Sequence, residues 1–146
     1  MVAWTKLPTF DLAPSDIVEP WKVALEDWSA ATAYLKIKAS GAWTAMAGLP
    51  KSGPDGVIGQ SFANDQLLVV ADCPVGALIG RIGGSSATLK AAAPASDSGE
   101  SKPFAIGAFT VVKLPANAVG PLYVGFNILL RPLELENLSV EIWAGT

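Results

Sequence analysis

Side chains able to do chemistry are sparse in this 146-residue chain, and histidine is absent. Without an imidazole no Ser-His-Asp or Cys-His arrangement can form, and the commonest general base and metal ligand is missing. The one cysteine, Cys73, precedes Pro74 beside an apolar stretch and reads as a small packed residue rather than a reactive thiol. Zinc would need that cysteine together with carboxylates, a poor donor set. Carboxylates are paired at Glu26 and Asp27 and again at Glu134 and Glu136. If the second pair lies on a strand it shares one face, where two acids could hold a cation or exchange protons. Alternation with Leu133 and Leu135 accounts for the same spacing as the wet side of an edge strand, whose like charges discourage edge-to-edge pairing. No catalytic residue and no metal ligand is assigned, and the chain is not expected to be an enzyme.

The run Gly76 to Gly84 is rich in glycine but lacks the G-x-G-x-x-G order. No Lys-Ser or Lys-Thr and no helix pattern follow it, as a phosphate-binding loop would require. Glycines here read as a strand that allows a bulge or a close backbone approach, with Arg81 facing outward or pairing with a carboxylate. Tryptophans at 4, 21, 28, 43 and 143 could stack on sugar faces, although a tryptophan more often packs in a core or an interface. Asn137-Leu138-Ser139 matches a glycosylation sequon and, with no secretory leader in view, reads as coincidence.

The elements that must position these residues are strands. Trp21, Val23 and Leu25 alternate with polar or small neighbours, as do Leu35, Ile37 and Ala39. Further strands are expected at Leu67 to Ala71, Ala77 to Ile82, Phe109 to Leu114, Leu122 to Asn127 and Leu138 to Trp143. Glu26 to Thr32 is expected as a short turn or a single helical turn, and Ser85 to Lys102 as a long loop. Residues 1–20 carry Pro8, Pro14 and Pro20 between large apolar residues, which predicts an extended N-terminal arm ahead of one domain over 21–146. Short strands between turns predict an all-β sandwich of two antiparallel sheets.

Bulk properties narrow the partners. Hydrophobic residues make up 51% of the chain and charged residues 16%, so a packed core is expected, with apolar surface to spare for a partner. A net charge of -3 without any block of Lys or Arg speaks against nucleic acid. No membrane span and no signal-peptide centre is visible, so a cytoplasmic location is expected, with export by a signal-independent route left open.

From Tyr34 onward, Ala39 to Thr44, Gly53-Pro54-Asp55-Gly56, Val75 to Gly83, Phe104 to Gly107 and Gly120 to Asn127 follow one another in an order that resembles the LecA-type galactophilic bacterial lectins. The resemblance implies a galactose-binding-like jelly-roll β-sandwich in which a calcium ion holds the sugar. The calcium-site motif is degraded here: Ile128 stands where the family has a carboxylate, and the following loop carries Leu129, Leu130 and Arg131. A hard cation needs several oxygen ligands, so neither calcium nor another cofactor is expected. Two functions fit. A calcium-independent carbohydrate-binding protein would contact a galactoside or other glycan through Asp55, Asp65, Gln66 and Asn127, with Trp43 or Met46 lining the site. A structural or protein-interaction subunit, homo-oligomeric or held by a protein partner, would instead use Leu129, Leu130, Leu133 and Leu135 as a contact surface.

Overall fold

The computed structural model describes residues 2–12, 21–57, 68–70, 72–83, 103–114, 120–128 and 134–146. Among them there is no helix, and the strands form two antiparallel sheets, an architecture consistent with a β-sandwich. The strands are β1 (Trp4–Lys6), β2 (Phe10–Leu12), β3 (Trp21–Leu25), β4 (Tyr34–Thr44), β5 (Leu78–Ile82), β6 (Phe104–Ala105), β7 (Phe109–Lys113), β8 (Leu122–Phe126) and β9 (Glu134–Gly145). The larger sheet runs β1-β9-β4-β7, with β2 also paired to β9; the smaller runs β3-β8-β5-β6. No helix among the described residues is long and apolar enough to cross a membrane.

Period-two patterning accounts for the larger sheet, whereas β5 and β8 of the smaller sheet are buried on both faces. In β4, Leu35, Ile37 and Ala39 are buried while Lys38 and Ser40 are exposed; in β9, Leu138, Val140 and Ile142 are buried on the matching side. These residues share one cluster with Leu78, Ile82, Leu122, Val124 and Phe126 of the smaller sheet. Burial of each large side chain is worth roughly 1.5 to 3 kcal/mol, so this layer dominates stability. Gly80 lets the sheet close on its edge: a Cβ there would meet Ile106 Cδ1 at 2.8 Å and the Phe104 ring at 3.0 Å.

The first strands run along the edge of the last. Trp4 to Lys6 pair with Gly145 to Trp143, and Phe10 to Leu12 pair with Val140 to Leu138. Pro8 lies in the gap between them, where a residue without an N–H interrupts the ladder. Residues 2–12 of the expected arm are thus part of the larger sheet, and the rest of that arm lies outside the described residues.

Two expectations need correction. Leu68 to Val70 form no strand, because the backbone of Val70 is bound by the Asn127 side chain and not by a neighbouring strand. Arg81 neither faces outward nor projects from a wet surface. It is fully buried, with its guanidinium 4.6 Å from the Tyr123 ring centroid and 5.5 Å from that of Trp21. The long loop expected over 85–102 lies outside the described residues.

Candidate binding site

The loop end nearest the expected sugar contacts is built around Asn127, which directly follows β8. Its side chain is fully buried. Oδ1 accepts from Val70 N at 2.8 Å, and Nδ2 donates to the carbonyls of Val70, Cys73 and Pro74, each at 3.0 Å. The Asn127 backbone is also engaged, donating to Ala77 O and accepting from Gly76 N. Asparagine suits this post because it offers donors and acceptors together, here matched to a loop whose backbone groups lie outside any ladder. Ile128 is 1% exposed and belongs to the core.

The other expected sugar contacts divide between core and surface. Trp43 is fully buried, its Nε1 donates to Gly76 O at 2.7 Å, and its ring meets the edge of Phe126 at 4.6 Å between centroids. Neither ring face nor N–H is offered to a ligand, so Trp43 is a core residue and not a stacking platform. Asn127 likewise braces a loop instead of facing solvent. Met46 is half-buried against the core, and its carbonyl accepts from Leu49 N at 3.2 Å. Asp55 is exposed, with Oδ1 accepting from Ala108 N at 2.9 Å, which fastens the turn where the chain passes from the smaller sheet to the larger. Asp65 and Gln66 lie outside the described residues, as do Leu129, Leu130 and Leu133. Leu135 is half-buried and packs on this chain's own core. Glu136, one of the paired carboxylates, binds Lys51 at the point where the β4–β9 register shifts.

A cavity of about 450 Å³ opens beside Asp55, with Cys73, Ala77, Ile106, Phe109 and Thr110 in its wall. Burial pushes the Cys73 thiol above its usual range, and the Asp72 carboxylate adds to the effect, so the thiolate nucleophile is disfavoured there.

In comparisons with known proteins, neither a family model nor a curated protein matches the chain.

A second surface went unrecognised in the sequence. On the outer face of the larger sheet, Lys6 and Lys36 flank Trp143 in register, and Trp4 and Tyr34 flank Gly145 in the next row. Lys36 Nζ stands 4.7 Å from the Trp4 ring centroid and 4.8 Å from that of Trp143, while Lys6 Nζ stands 5.6 Å from Trp143. Lys113, Val111 and Phe109 of β7 extend the same rows across Tyr34, Lys36 and Lys38. Trp4, Phe109 and Val111 are exposed by 36, 59 and 49%. The alternation Lys36-Ile37-Lys38 was a visible clue to half of this face. Its completion by residues 4 and 6 depends on β1 pairing with β9, which no local pattern announces.

Proposed function

We propose that the protein is a non-catalytic, calcium-independent binding module on a galactose-binding-like jelly-roll scaffold, in which recognition has left the loop end. The environment of Asn127 and Ile128 supports this most directly. Where the resembled lectins place a carboxylate for calcium, this chain places a side chain packed in the core, beside an amide already used by four loop contacts. Neither side chain offers a hard cation a negative charge, and the Asn127 Oδ1 already accepts from Val70 N. The test is thermal unfolding with calcium, with EDTA, and with galactose and a glycan panel, since a ligand of the native state must raise its stability. Calcium and EDTA should leave the midpoint unchanged, with or without galactose. A rise that needs calcium and galactose together would sink the proposal.

A second reading, an assembly subunit, has one observation in its favour. Among the described residues, strand β7 ends the larger sheet, and it carries exposed Phe109 and Val111. An apolar edge of that kind is a template for pairing with another chain. Light scattering decides between the two: a stable dimer that Val111→Lys dissociates supports assembly, and a monomer at micromolar concentration removes it.

A further inference from the structure

We infer that the outer face of the larger sheet binds an anionic polysaccharide, one carrying carboxylate or sulfate groups along a chain of sugars. The inference rests on the proposed role as a binding module and names the partner. Lys6, Lys36, Lys38 and Lys113 occupy adjacent rows of this face; Glu141 lies opposite Lys38 and 3.9 Å from Lys6, and Asp11 lies opposite Ser139 in the following row. Counting those side chains, the rows carry +4 and -2, or +2; the whole chain carries -3, so everything else sums to -5. Charge is therefore segregated, with lysines concentrated on one sheet face of an acidic protein.

Neighbouring positions on a sheet face lie within about 4.5 to 8 Å, close enough for like charges to repel. An anion lying across the rows relieves that repulsion. The same charge disfavours a second copy presenting the same face, since a two-fold contact would bring lysines against lysines. Exposed apolar surface lies among the cations, supplied by Trp4, Phe109 and Val111. Sugars suit such a mixture, because their C–H faces pack on apolar and aromatic surface while their acid groups reach the ammonium ions. A single-stranded nucleic acid suits it less, because its phosphate backbone calls for a dense cationic groove, whereas the remainder of the protein is acidic.

The experiment is titration calorimetry of the full chain at low salt with polygalacturonate and heparin oligosaccharides, neutral dextran, and a thymidine oligonucleotide. Binding of at least one acidic glycan is expected, weakening with salt and absent for dextran. The double variant K36Q/K38Q should lose about tenfold in affinity, while K22Q, which removes one charge from the smaller sheet, should lose little. If K36Q disturbs folding because its stem packs on the rings, K38Q alone serves, since Lys38 is exposed and outside the ring contacts. Absence of binding to both acidic glycans, indifference to the face variants, or tighter binding of the oligonucleotide would each overturn the inference. An EDTA arm separates it from the broader proposal. Acidic-glycan binding that needs calcium would defeat calcium independence alone, whereas calcium-free binding that ignores the face variants would defeat this assignment alone.

Discussion

Asn127 shows how one side chain can turn the mouth of a sandwich into its fastening. Three carbonyls and one N–H of residues 70–74 converge on a single buried amide. Asn127→Ala leaves those part-buried loop groups without their partner and should cost about 2 kcal/mol, read as a lower midpoint in urea. Asn127→Asp should cost more, because it sets a carboxylate against three carbonyl oxygens; an aspartate variant as stable as the parent would show that the loop is held by something else. Cys73 gives a prediction in pH. Its folded thiol holds its proton above the usual thiol range, chiefly through burial and then through Asp72. An unfolded chain therefore ionises first, and raising pH through that range favours unfolding slightly. Native protein at about pH 8.5 should be alkylated by iodoacetamide more slowly than denatured protein, with the gap narrowing as pH climbs. Faster reaction of the native thiol would mean that it is activated after all. The sequence could place Asn127 beside a loop, but it could not reveal the direction of the amide, which depends on where residues 70–74 return after a long excursion.

Trp21–Leu25 and Tyr34–Thr44 were legible because an apolar period of two against a polar counter-face matches a half-buried strand, whereas Leu78–Ile82 and Leu122–Phe126, buried on both faces, were legible as short apolar runs bounded by turn residues. Short or interrupted elements were not. β1 and β2 have three residues each, and Phe104–Ala105 has two; none is long enough to display a period. They exist because β9 and β5 offer ladders to them. The expectation that most misled concerned Leu68 to Val70, whose apolar run looks like a strand but packs its backbone against a side chain. Within the β4–β9 pair, Gly41 is where element geometry is tightest. It has φ of +148°, and a Cβ would run into the Asn137 carbonyl and lie 3.0 Å from Leu138 Cα. Those neighbours belong to the backbone of a central strand and cannot swing aside. Gly41→Ala should thus destabilise by about 3 kcal/mol or more, through strain and separation of the two longest strands. An alanine variant with an unchanged thermal midpoint would show that the ladder is more compliant at its bulge than its geometry implies.

Across the whole molecule, chain ends and chain middle are joined by β9. It pairs with β4 on one side and with β1 and β2 on the other, so residues near position 4 and residues near position 145 lie in one sheet. Such long-range pairing has two consequences. Loop closure must precede the contacts that reward it, which places folding in the slow, millisecond-to-second regime of sandwiches. Residues 7–12 are held to the sandwich, because Leu12 is 4% exposed and Leu7 and Phe10 pack on the same core as Ile142 and Leu35. Deletion of residues 1–12 would therefore remove more than a decoration. It would uncover one side of a strand spanning Glu134–Gly145, leaving its N–H and C=O groups as a template for other chains, and would open the core beneath it. The truncated protein should lose far-UV dichroism and tryptophan fluorescence in a single transition at lower temperature, and should associate on heating. Two separated transitions would show that the larger sheet forms without its first strands. An unaltered midpoint would show that β1 and β2 ride on the sandwich without supporting it, and the Lys6, Trp4 and Trp143 cluster would then be an attachment to the scaffold and not a part of it.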